Sequence, residues 1–129
     1  MADTALAAVL MQNAEDDLRS AEQASSDERH DIRNRAFNSQ QAAEKALKAA
    51  LVLSEKDTPH THDLIYLRDN LPPNWNVNTP ADLGKLTNMA VTARYGNGGT
   101  APTKSEADWA LGVATDIVSA VRARTAAGP

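Results

Sequence analysis

The positions at which this chain could do chemistry are few: three histidines, an Arg94-Tyr95 pair, and a run of amides and charges between Gln40 and Lys48. Each histidine could act as a base, a ligand or a surface side chain, since imidazole changes charge near neutral pH. His30 stands among Asp27, Glu28, Arg29 and Asp31 and reads as a solvated residue at a helix start. His60 and His62 flank Thr61 and precede Asp63, which invites a metal reading. Two imidazoles on a loop with no third ligand in view specify a metal poorly, so capping or loop anchoring by His62 and Asp63 is preferred and no metal or other cofactor is expected. The chain has no cysteine, which removes disulfides, thiolate zinc sites and a cysteine nucleophile. No serine occupies a strand-turn-helix elbow either.

Arg94-Tyr95 closes a predicted helix immediately before the glycine-rich stretch GNGGTAP, residues 96–102. A guanidinium there could hold phosphate in a fixed geometry, and a phenol could stack or donate. The same pair would serve equally as a cation favourable to the helix dipole and an anchoring tyrosine. The glycine-rich stretch lacks a preceding strand and the Gly-Lys-Ser/Thr of a phosphate loop, so it reads as a flexible connector. Gln40, Gln41, Glu44, Lys45 and Lys48 also admit two readings. Glu44 precedes Lys48 by four residues, the favourable order for a helix ion pair, so geometry alone favours a solvated face. The alternative is a polar groove.

The element that must position these groups is a long central helix, starting near Ser26 behind a Ser25 to Glu28 capping box and running to about Leu53. Ile32, Ala36, Phe37, Ala43, Ala46, Leu47, Ala50 and Leu51 recur at spacings of three and four and form its core stripe. A first helix starts near Asp3 or Thr4 and presents Leu6, Val9, Leu10, Ala14, Leu18 and Ala21 on one face. After a polar connector, residues 54–61, a short helix carries Leu64, Leu67 and Leu71, capped by Thr61 or His62 and ended by Pro72 and Pro73. Trp75 and Val77 pin the irregular segment that follows. Thr79 and Pro80 open a fourth helix with Leu83, Leu86, Met89, Ala90 and Ala93 on its face. Thr103 to Glu106 is a second capping box, and Ala107, Ala110, Leu111, Ala114, Ile117, Val118 and Val121 line the last helix. Residues 126–129 are expected to fray.

The expectation is an all-α fold, an up-and-down bundle of four long helices plus one short helix, in one domain over residues 1–129. Alanine is abundant and aromatics make up 4% of the chain, so the core must be aliphatic with closely approaching helices. No apolar run approaches the ~20 residues of a membrane span, and the first ten residues carry no basic leader pattern, so a cytoplasmic protein is expected. The net charge of -4 argues against attraction of nucleic acid to the whole surface, while leaving room for a local basic strip.

Taken together, Asp17-Leu18 with Ala21, the run Phe37 to Ala49 containing QQAAEKALKA, Thr61-His62-Asp63-Leu64 with Leu67, and Ala93-Arg94-Tyr95 resemble the HEPN domain family (higher eukaryotes and prokaryotes nucleotide-binding). The resemblance implies a helical bundle, commonly a homodimer, often encoded beside a minimal nucleotidyltransferase with which it forms a toxin-antitoxin-like pair. It also implies, for many relatives, RNase activity from an arginine followed at short spacing by a histidine, at a site composed across the dimer interface. This chain departs from that pattern: Arg94 is followed by Tyr95, Gly96 and Asn97, with no histidine in reach. The expectation is therefore a non-catalytic or weakly catalytic protein that binds a nucleotide or RNA, or a nucleotidyltransferase partner, through a polar groove with Gln41, Lys45, Lys48, Arg94 and Tyr95. Lysine and arginine would neutralise phosphate, Gln41 would hydrogen-bond and Tyr95 would stack on a base. The alternatives are an RNase toxin with an altered site and a purely structural interaction module.

Overall fold

The computed structural model describes residues 2–95 and 101–126, with the side chains of all of these but 90–95 and 126. Among the described residues every regular element is helical: α1 (Thr4–Gln23), α2 (Arg29–Leu53), α3 (Leu64–Asp69), α4 (Gly84–Tyr95) and α5 (Lys104–Ala126). Three long helices pack together and two shorter ones complete the set, rather than the expected four long and one short. The difference lies at α4, which begins at Gly84 and not at Thr79-Pro80. The Leu83, Lys85 and Leu86 amides bond three residues back, to Pro80, Asp82 and Leu83, so the chain turns tightly here before α-helical pairing takes over.

Helix α2 is the axis, with every other helix packing on it. Lys45 meets Asp17, and Arg35 meets the Ala21 carbonyl, so numbers rise along α1 as they fall along α2 and the two run antiparallel. Arg35 also pairs with Asp108 near the start of α5. One core runs through all five helices, and alanines on α2 are fully enclosed wherever neighbours approach closely. In α1 the buried line is Ala7, Met11, Ala14, Leu18 and Ala21, a strict alternation of fours and threes. Leu6 and Val9, expected on the core face, stand beside that narrow seam and are exposed.

Local chemistry sets the helix ends. The Asp3 carboxylate accepts from the Leu6 amide at the start of α1. At α2 the expected start near Ser26 gives way to Arg29: the Ser26 hydroxyl accepts from the Glu28 amide and donates to Asp31, tying up the preceding residues as a turn. Its far end closes with Glu55 at φ 56°, where the Lys56 amide reaches the Leu51 carbonyl and the Glu55 amide reaches Val52. This paired return stops the helix and turns the chain towards the 56–63 connector. The capping box at α5 is reciprocal, Thr103 Oγ1 accepting from the Glu106 amide at 3.1 Å and Glu106 Oε1 from the Thr103 amide at 3.0 Å. Trp75 and Val77 pack against the core as expected, and the Arg124 guanidinium lies 4.7 Å from the Trp75 ring centre. The glycine-rich connector, 96–100, and the tail, 127–129, lie outside the described residues. Within the described residues no helix is long and apolar enough to cross a membrane.

Candidate functional site

Where α2 is enclosed by its neighbours, buried polar groups cannot rely on water; the Ser39 hydroxyl has no partner there, whereas the Gln40 and Glu44 side chains find theirs within the protein. The expected solvated face is overturned at this point: Gln40 is fully buried and Glu44 is 6% exposed. The Glu44 carboxylate accepts three hydrogen bonds. Lys48 Nζ donates to Oε2 at 2.9 Å, and Oε1 receives Gln40 Nε2 at 3.1 Å and His62 Nδ1 at 2.8 Å. Gln40 also donates to the His62 carbonyl at 3.2 Å and accepts from Gln41 Nε2 at 2.7 Å. His62 is thus held to α2 by both ring and backbone.

The connector is shaped to deliver His62 there. The Thr61 hydroxyl accepts from the Asp63 amide, and Asp63 caps α3 by accepting from the Ile65 and Tyr66 amides at 3.1 and 3.2 Å. The cap of α3 is therefore Asp63, one residue beyond the expected Thr61 or His62. The Leu64 amide bonds to Thr87 Oγ1, which fixes the start of α3 against α4. Loop anchoring by His62-Asp63 is what the geometry contains. Among the described residues no group of three or more His, Asp or Glu side chains is arranged to hold a metal ion.

Burial by itself would raise the Glu44 carboxyl, but the hydrogen bonds from His62, Lys48 and Gln40 outweigh it and hold the group below its ordinary 4.5. Near neutral pH Glu44 is a carboxylate and can only accept, so His62 Nδ1 must be the donor and, in the neutral ring, Nε2 carries the lone pair. The ring is 60% exposed, and Nε2 meets no partner among the described residues. A carboxylate that fixes the tautomer of a solvent-reachable imidazole leaves the other ring nitrogen facing solvent as a hydrogen-bond acceptor. Lys48, already opposite Glu44, keeps two of its three ammonium hydrogens for a further acceptor.

Of the residues expected to bind ligand, Gln41 and Lys48 join this cluster. Lys45 does not: it points to α1 and pairs with Asp17 at 2.5 Å. Arg94 and Tyr95 end α4, but their side chains lie outside the described residues. The candidate set by sequence omits Gln40, Glu44 and His62, the residues that build the cluster. The row at 40, 44 and 48 is visible as an i, i+4 repeat, whereas the arrival of the connector over it is not.

The family model of the HEPN domain matches residues 7–124, which include every member of the cluster. The chain belongs to the HEPN domain family. Among solved structures, this HEPN domain is similar to the crystal structure of TT1696 from Thermus thermophilus, with 28% identity and a TM-score of 0.70 over 90% of this chain and 95% of that one. No curated protein matches it. The QQAAEKALKA run, the THDL segment and the Arg-Tyr pair all fall inside the matched span.

Proposed function

We propose that this HEPN domain binds a phosphate-bearing nucleotide over the polar face of α2, with Lys48, Gln41 and His62 as the contacting groups and Glu44 and Gln40 as the supports that hold them. The observation that carries the reading is the buried Glu44 gathering Lys48 and His62 beside Gln41. Such buried, fully bonded supports fix Lys48 and Gln41 on a rigid helix and hold His62 against it, which lowers the ordering cost of binding. The free ammonium hydrogens of Lys48 suit a phosphate oxygen, and Nε2 of the neutral His62 ring suits a ribose or base donor. Arg94 and Tyr95 belong to the same proposal as a phosphate clamp and a stacking surface. So do a homodimer that completes the site and a nucleotidyltransferase partner in a toxin-antitoxin-like pair, which rest on the family resemblance.

Thermal shift of the 129-residue chain with ATP, GTP and a short RNA is the test, because a ligand that prefers the folded state raises the melting temperature by mass action. The expected result is a rise with at least one of them that is lost in Gln41→Ala. No rise at millimolar nucleotide and micromolar RNA sinks the reading. Light scattering at micromolar protein tests the dimer, with 13.8 kDa the refuting mass.

RNA cleavage is a second reading, favoured by the oriented His62 imidazole. In it Nε2 takes the proton of a ribose 2′-hydroxyl, the O2′–P bond forms as the P–O5′ bond breaks, and water returns a proton to the 5′ oxygen. Cleavage of RNA that disappears in His62→Ala and persists in His60→Ala would support it. Intact RNA after prolonged incubation with the purified chain would remove it.

A further inference from the structure

A second feature lies on α5, away from the α2 cluster. Residues 78–80 and the outer face of α5 enclose an open groove of about 430 Å³, lined by Thr79, Pro80, Trp109, Gly112 and Asp116 among others. Trp109, Gly112 and Asp116 recur at spacings of three and four and so share one stripe of the helix. Gly112 is the informative residue. A glycine in the middle of a 23-residue helix weakens it relative to alanine, and no neighbour demands the missing side chain, since a Cβ built there meets nothing within 4 Å. What its absence does is leave the groove floor open. Asp116, at the other end, is exposed and has no hydrogen-bond or ion-pair partner among the described residues. Two cations in contact with groove-lining residues are already engaged: Arg68 donates to Thr79 and pairs with Asp69, and Lys85, whose Nζ lies over one face of Trp109 at 5.6 Å from the ring centre, pairs with Glu106, so an incoming cation must use the part of the indole that Lys85 leaves open.

We propose that this groove receives an arginine side chain from a protein partner, the guanidinium lying against Trp109 and meeting the Asp116 carboxylate. An indole surface and a free carboxylate on one helical stripe match the two faces of guanidinium chemistry, stacking and forked hydrogen bonding. The groove has the volume of a small-molecule site without the enclosure. Free metabolites are held by burying most of their surface, whereas a side chain delivered by a larger docking surface needs only one wall and a floor. Charge complementarity sets the sign, because the unpaired group in the groove is an anion and the whole chain carries -4.

The test uses the full chain and a blocked, glycine-flanked arginine pentapeptide, followed by the Trp109 indole signal in a proton–nitrogen NMR titration with Trp75 as internal control. Arginine peptide at millimolar concentration is expected to shift Trp109 and not Trp75, and Asp116→Asn to weaken that binding roughly fivefold, as loss of an exposed ion pair should. The neutral citrulline peptide should bind as weakly as arginine peptide does to Asp116→Asn. Gly112→Leu should fill the floor and abolish the shift while the melting temperature holds or rises; should it unfold the chain, Asp116→Asn carries the test alone. No Trp109 shift with arginine, an equal shift with citrulline, or a Trp109 shift produced by adenosine and not by the peptide would each overturn the proposal.

Discussion

Replacing Glu44 by glutamine separates the charge of this residue from its shape. The amide keeps the volume and one acceptor oxygen for His62 and Gln40, but leaves the Lys48 ammonium, 18% exposed, without its counter-ion. Breaking a fully buried ion pair by removing one partner costs about 3–5 kcal/mol. Lys48 retains a route to water, so the expected loss is about 2 kcal/mol at pH 7, a sizeable share of a marginal domain's stability. With a urea slope of about 1–3 kcal/mol per molar, the midpoint should fall by about 1 M. The pH dependence provides the internal check. The Glu44 carboxyl is held below its ordinary 4.5, so its contribution is complete above that value and disappears as pH falls through the lower folded value. Parent and variant should therefore differ most near neutrality and converge in acid below about pH 4.5. Adding Lys48→Met to Glu44→Gln should restore part of the loss, because the unpaired ammonium is its main cause. The reasoning fails if urea denaturation at pH 7 gives midpoints within roughly 0.2 M, or if the gap persists unchanged in acid.

Leu47 is fully enclosed on α2, so Leu47→Ala should cost about 2–5 kcal/mol by urea denaturation, and a value under about 1 would misplace the core face. Asp63→Ala removes the cap of α3 and should cost about 1 kcal/mol, with faster hydrogen exchange at the Ile65 and Tyr66 amides. Lys45→Met should leave nucleotide binding at the α2 cluster unchanged and reduce stability by under about 1 kcal/mol, since its partner is Asp17 of α1; lost binding would return Lys45 to the site. Thr103→Ala should lower stability by about 1 kcal/mol through the α5 capping box, and an unchanged melting temperature would show that the box contributes little.

Helix chemistry was largely legible in the sequence because it is local. Apolar spacing in α2 and α5 picked out Leu47, Leu51, Ile117 and Val118, which are fully buried, and the Thr103 to Glu106 box appears with both of its hydrogen bonds. These features depend on groups three or four residues apart, so the chain specifies them before anything packs. The family could be read for the same reason, since its motifs are short runs of neighbouring residues on α1, α2 and α4 and at the start of α3. The start of α4 is not legible locally, because Thr79-Pro80 is a sound start signal, yet the Pro80, Asp82 and Leu83 carbonyls are taken up by tight turns. Leu6 and Val9 share the helical spacing of the core residues and yet are exposed, because that spacing cannot tell a narrow seam from a broad apolar face. The polar cluster depended most on tertiary structure. A Glu44 to Lys48 spacing is identical on a solvated helix and an enclosed one, and local geometry favours the solvated reading. The α3 connector, held by Glu55 at positive φ and by the Asp63 cap, brings His62 against α2, 18 residues from Glu44 in sequence. Enclosure then removes water as the alternative partner, and a routine helix ion pair becomes a buried carboxylate that holds a lysine, a glutamine and an imidazole in place.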